Sequence, residues 1–167
     1  MDTTPELRIS PTRGAMTVGA ATAALMLVVS LVGWQIAGWI VFVGGIFYGM
    51  RIYKRVLGGI IVYSKSLNVG CQTAFFASLI MAFVGYVSTT FEPSLITSML
   101  DVAEQQMKTS GFPEGLVDAA VQQWRGILTP MVFGVMIIFM YSTVGCFASI
   151  ILAFFVRNAK PGEFVEY

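Results

Sequence analysis

The chain has 167 residues, 56% of them hydrophobic and only 11% charged, with a mean hydropathy of +0.78. Globular proteins carry about 25% charged residues, so this chain cannot clothe a water-facing surface with charge, and the soluble enzyme folds are excluded. A net charge of +1 gives no excess that would draw nucleic acid, and zero His with two Cys removes zinc motifs, histidine triads, His-ligated haem and four-cysteine clusters. The composition is that of an all-α integral membrane protein, with no cofactor, metal or catalytic constellation expected.

In chain order, residues 1–13 read as a polar cytoplasmic lead, with Arg8 and Arg13 set among Asp2, Pro5, Glu6 and Pro11. They do not read as a cleaved signal peptide, despite the Ala21-Thr22-Ala23 triplet, because the apolar run behind them turns straight into a second one. From Gly14 to Met50 there are 37 residues without one Asp, Glu, Lys or Arg. A helix crosses a hydrocarbon core of about 30 Å with about 20 residues, so this run is nearly two crossings. Ser30, Gly33, Trp34, Gln35, Gly38 and Trp39 mark the break, with both tryptophans at interface positions. The expected spans are 14–33 and 35–53, the second short enough that Arg51 and Lys54 must snorkel.

The segment Arg51 to Lys65 is basic, aromatic and apolar together. Lying in the interface, its cations Arg51, Lys54, Arg55 and Lys65 would meet anionic lipid headgroups at the cytoplasmic face or a cytoplasmic partner, at about 1 kcal/mol per cation near an anionic surface. Plain topology, in which positive residues are retained inside, accounts for the same charges. Gly58-Gly59 is expected to divide the segment into a short interfacial piece and a lead-in to the third span, which the uncharged run 66–91 supplies. A further uncharged run covers 126–156; Pro130 suits a first helical turn, so the fourth crossing is expected at 130–156, closing a membrane domain over 14–156 with a cytoplasmic tail at 157–167.

Between these spans, residues 92–125 become water-soluble, with Glu92, Asp101, Glu104, Glu114 and Asp118 against Lys108 and Arg125. Ile96, Leu100, Ala103 and Met107 recur at helical spacing, as do Val117, Val121, Trp124 and Leu128 after the Ser110-Gly111-Phe112-Pro113 breaker. Pro93 suits a helix start, and Glu104 to Lys108 is an i,i+4 pair in the favoured order. The segment is expected to form an acidic helical hairpin, with Asp101, Glu104, Glu114 and Asp118 as an extracytoplasmic docking surface; a self-packed connector is the blander alternative. Orientation follows from Lys and Arg. Eight of ten (Arg8, Arg13, Arg51, Lys54, Arg55, Lys65, Arg157 and Lys160) fall on one side and two on the other, so both termini are expected in the cytoplasm.

The expected spans contain no ionisable residue beyond the cations at the end of the second, where proton- and ion-coupled transporters usually hold one at membrane depth. Asn68, Gln72, Thr73, Ser78, Tyr86, Ser88, Thr89 and Thr90, with Tyr141, Ser142, Thr143 and Ser149, are the nearest to a polar track, and interhelical hydrogen bonding is the commoner use of such residues. Small residues form stripes: Gly45 and Gly49 on span two, Gly70, Ala74, Ser78 and Ala82 on span three, and Ser142, Gly145, Ser149 and Ala153 on span four. Such faces let helices approach closely, within one chain or across a homo-oligomer, and the stripe through Ala74, Ser78 and Ala82 is ranked first as a lipid-facing partner surface. Counted from the inner ends of spans 66–91 and 130–156, Cys71 and Cys146 differ in depth by about 7 Å, more than a disulfide usually tolerates. The ten methionines read as bundle filler.

Gly45-Ile46-Phe47-Tyr48-Gly49-Met50-Arg51, then Tyr53-Lys54-Arg55 with Leu57-Gly58-Gly59, then Phe91-Glu92-Pro93 carry a likeness. Over roughly Gly14 to Lys160 the chain resembles a family of bacterial membrane proteins, found mainly among Bacteroidota, known as domain of unknown function four-one-nine-nine. Its members more typically read Asp-Pro where this chain has Glu92-Pro93. The resemblance implies a four-span inner-membrane fold, attaches no activity to it, and suggests gene neighbourhoods with a membrane glycosyltransferase acting on polyprenyl phosphate. From the residues themselves, the expected role is a non-catalytic subunit or scaffold of a membrane assembly, partnered by another membrane protein. The competing expectation is a small transporter of a neutral solute or lipid, dimeric, using the polar residues of spans three and four.

Overall fold

The computed structural model describes residues 11–158 apart from 32 and 34. Expectations that rest on residues 1–10, on Trp34 or on 159–167, including those for Arg8 and Lys160, lie outside the described residues. Six helices follow in order: α1 (Pro11–Leu31), α2 (Gln35–Val56), α3 (Tyr63–Phe91), α4 (Ser94–Thr109), α5 (Glu114–Ile127) and α6 (Pro130–Val156), with no strand among the described residues. Four of them, α1, α2, α3 and α6, are long and apolar enough to cross a membrane, so the chain is a multi-pass membrane protein.

The helix ends have local causes. Pro130 opens α6, and the Thr129 side chain before it accepts the Val132 N–H at 3.3 Å, a Thr N-cap bonded to the third helical residue. α2 runs three residues past the expected Tyr53, to Val56, because charge does not stop a helix whereas a left-handed glycine does. Gly58 sits at φ 75°, the Gly58 N–H donates to the Arg55 carbonyl at 3.2 Å, and the Gly59 N–H donates to the Lys54 carbonyl at 2.9 Å. This is a Schellman end, which a side chain with a Cβ would strain. Arg51, Lys54 and Arg55 therefore belong to the last turns of α2, Gly58-Gly59 divides the segment as expected, and α3 begins at Tyr63. α4 ends the same way at Gly111, φ 83°, with Gly111 N–H to Lys108 carbonyl at 3.1 Å and Phe112 N–H to Met107 carbonyl at 3.3 Å.

The chain forms two compact units. Of the described residues, one comprises those within 11–80 and 139–158, hence α1, α2, the first part of α3 and the later part of α6. Its centre is built from Phe42, Ile46 and Met50 of α2, set among the small residues Ala15, Ala23, Ala74, Ala77 and Ala153. A helix bundle in lipid has no water to expel from its seams, so close van der Waals contact over small side chains supplies the association. The other unit covers 81–138, with α4 and α5 packed on each other and Ile96, Leu100, Val117 and Val121 buried. In water each such aliphatic side chain contributes about 1.5–3 kcal/mol when fully buried. Trp124, expected on the same apolar face, is exposed.

Candidate functional site

The small-residue positions turn inward. Ala74, Ser78 and Ala82 are buried, which corrects their ranking as a lipid-facing partner surface: the chain's own helices occupy that face. A Cβ on Gly145 would strike Ala74, one on Gly70 would strike Met50 and Ser149, and one on Gly45 would strike Thr22. At Gly49 a Cβ would lie 3.1 Å from the Thr73 hydroxyl, and at Gly19, which the sequence did not single out, 2.9 Å from the Thr73 carbonyl oxygen. Ser149 and Ala153 are buried on the same side of α6 as Gly145. In the second unit, a Cβ on Gly134 would lie 3.5 Å from the Ala82 carbonyl oxygen.

The hydroxyls of the polar track are turned mostly to their own helices. Thr73 donates to the Val69 carbonyl at 2.8 Å, Thr89 to Gly85 at 2.8 Å, Thr90 to Tyr86 at 2.7 Å and Ser149 to Gly145 at 2.7 Å. Ser78 donates to the Phe75 carbonyl at 2.7 Å, so the Ser142 hydroxyl, 2.9 Å away, donates to Ser78 and ties α6 to α3. Tyr141 lies stacked on Trp39, ring centroids 5.1 Å apart, and edge-on to Phe42. Among the described residues, the buried Ser66 Oγ and Gln72 Oε1 have no hydrogen-bond partner. The Cys71 thiol has the Cys146 and Ser149 side chains as neighbours, closer than the depths expected from the sequence would place them, and both cysteines are free. The reason is the earlier start of α3: Cys71 is 71 − 63 = 8 residues from Tyr63 and Cys146 is 156 − 146 = 10 from Val156. Two residues of helix amount to about 3 Å.

The cations at the α2 end are used unequally. Lys54 Nζ donates to the Val156 carbonyl at 2.9 Å, a positive group at the negative end of α6. The Arg51 guanidinium lies over the Phe47 ring, 4.9 Å from its centroid, and Arg51, Arg55 and Lys65 are all exposed. A feature the sequence reading missed reinforces the Lys54 bond. Asn158 Nδ2 donates to the Gly59 carbonyl at 2.8 Å, the Ile61 N–H donates to Asn158 Oδ1 at 3.1 Å, and the Tyr63 hydroxyl donates to the Ile150 carbonyl at 3.3 Å. An amide side chain just past the last apolar helix, opposite a Gly-Gly turn, was the available signal.

On α4 and α5 the acidic residues divide. Glu104 accepts from Lys108 at 2.6 Å, and Arg125 of α5 donates to Asp101 of α4 at 3.2 Å. The Lys108 hydrogen bond and charge hold the Glu104 carboxyl below its ordinary range, and Glu104 in return raises Lys108. Glu114 and Asp118 are exposed outside these two pairs. The same two helices expose Val102 (63%), Leu116 (64%), Met99 and Trp124. No grouping of three or more Cys, Asp or Glu side chains able to hold a metal ion occurs among the described residues. The profile of a family described as "Protein of unknown function (DUF4199)" matches residues 14–158. No curated protein and no solved structure matches the chain.

Proposed function

Because this chain belongs to the DUF4199 family, whose description assigns no activity, we propose a role drawn from its own surfaces: a non-catalytic subunit or scaffold of a bacterial inner-membrane assembly. In this reading both termini are cytoplasmic, the Arg51, Arg55 and Lys65 end faces the anionic leaflet, and α4 with α5 lies on the extracytoplasmic side. The observation that carries the reading is the exposure of Met99, Val102, Leu116 and Trp124 on helices that already bury Ile96, Leu100, Val117 and Val121 against each other. Apolar side chains left uncovered on a helix pair that also exposes Glu114 and Asp118 suit a partner with an apolar, basic-rimmed face. The partner is another membrane protein, and a polyprenyl-phosphate glycosyltransferase is the class the family resemblance suggests.

The transporter reading draws support from one observation, the unpartnered Gln72 Oε1, because a buried amide oxygen favours a polar companion. Against it, Ser78 is fully buried and bonded to Ser142 where a path would need them open. Purification in a gentle detergent separates the two. A stoichiometric companion lost on replacing Leu116 and Val102 by Ser supports the subunit role; a lone chain that alone carries solute flux in liposomes supports transport.

A further inference from the structure

A shallow groove of about 490 Å³ runs beside the last turns of α6, lined by Tyr63, Ile150, Ile151, Phe154, Phe155 and Arg157. Its wall is fixed: the Tyr63 hydroxyl holds the Ile150 carbonyl at 3.3 Å, and Lys54 caps Val156 one residue before Arg157. All of the lining is apolar or aromatic except at one end, where the Arg157 guanidinium lies over the Phe154 ring, 4.2 Å from its centroid. An apolar trough that ends in one cation is complementary to an amphiphile with a hydrocarbon tail and an anionic head.

We propose that this groove is a binding site for one anionic phospholipid, its tail along Ile150, Ile151 and Phe154 and its phosphate on Arg157. The two halves of the site contribute differently. A tail entering the groove leaves hydrocarbon for hydrocarbon, so the hydrophobic effect supplies no preference, and the groove contributes shape alone. Selectivity comes from the net charge of the head: the guanidinium can meet two phosphate oxygens in either kind of head, but in a zwitterionic head the quaternary ammonium offsets the phosphate charge. Arg157 is the cation placed for this: Lys54 Nζ is bonded to the Val156 carbonyl, Arg51 lies over Phe47 on α2, and neither lines the groove. One cation near an anionic surface corresponds to about a fivefold preference for an anionic over a zwitterionic head. The proposal rests on the membrane-spanning helices and is independent of the scaffold role.

The test uses the full chain in nanodiscs of equal phosphatidylglycerol and phosphatidylcholine, released into mild detergent and weighed by native mass spectrometry. One phosphatidylglycerol should stay bound per chain. Arg157→Gln should lower its retention about fivefold relative to phosphatidylcholine, Arg157→Lys should restore part of it, and Arg55→Gln should leave it unchanged. Ile151→Trp, which fills the groove and keeps the cation, should lose the lipid whichever head it carries. Unchanged retention in Arg157→Gln, an equal loss in Arg55→Gln, or a groove covered by a second copy of the chain with no lipid retained would overturn the proposal. Gel filtration of each variant identifies any that fails to fold, and the two variants at separate ends of the groove keep the outcome decisive.

Discussion

Replacing Gly19 by Ala adds one methyl group where α1 approaches α3 closely. The new Cβ would stand 2.9 Å from the Thr73 carbonyl oxygen and from Phe76 Cβ, and 3.2 Å from the Ala77 nitrogen. Two of these atoms are backbone, so no rotamer change can relieve them, and α1 must shift away from α3. Overpacking of this kind costs about 1–3 kcal/mol. Ala is the better helix former by up to about 1 kcal/mol, which offsets part of the strain. The net expectation is a loss of about 0–2 kcal/mol. Gly44→Ala supplies the control, because a Cβ there meets no atom within 4 Å while the propensity gain is similar in kind. The difference between the variants isolates the packing cost of about 1–3 kcal/mol. Reversible unfolding of each variant in mixed micelles, titrated with a denaturing detergent and followed by helicity, measures it. Equal midpoints for Gly19→Ala and Gly44→Ala would refute the close contact between α1 and α3.

Asn158→Ala removes the acceptor of the Ile61 N–H and the donor to the Gly59 carbonyl, and should cost about 1–3 kcal/mol in the same unfolding assay; an unchanged midpoint would place the clamp outside the stable structure. A short bifunctional thiol reagent that enters the bilayer should bridge Cys71 and Cys146 within one chain, detected as a single added mass, whereas two separate additions would contradict their contact. Lys108→Gln should return the Glu104 carboxyl upward toward its ordinary range, read by NMR titration. Since the folded-state value is depressed, the pair's contribution is present above the ordinary carboxylate range and is lost as pH falls through the folded-state value. A Glu104 titration identical in both proteins would refute that pairing.

Charge-free runs made the four long apolar helices legible, because a charge at membrane depth is expensive and its absence over 26 residues or more leaves little else to read. The same criterion misplaced the end of α2. Arg51, Lys54 and Arg55 mark where side chains reach the interface, but the backbone continues until Gly58 supplies a left-handed conformation. Starting the third span after Lys65, where the helix itself begins at Tyr63, also separated Cys71 from Cys146, because a few residues of helix are enough to move one thiol past another. The small-residue stripes were visible as patterns, yet Ala74 and Ser78 look alike in sequence whether they face lipid or Gly145 and Ser142. Long-range pairings such as Lys54 with Val156 and Arg125 with Asp101 join residues far apart in sequence and leave no periodic trace.

The central claim is that α4 and α5 form the docking surface of a membrane subunit, and in-cell photocrosslinking tests it most directly. A photoreactive residue placed at Leu116 or Asp118, both exposed, should trap one defined partner membrane protein, while the same residue at Phe147, exposed on α6, should give only lipid adducts. The trapped species should disappear when Val102 is replaced by Asp. Lipid adducts alone at Leu116 and Asp118, or the same protein captured equally from Phe147, would contradict the account.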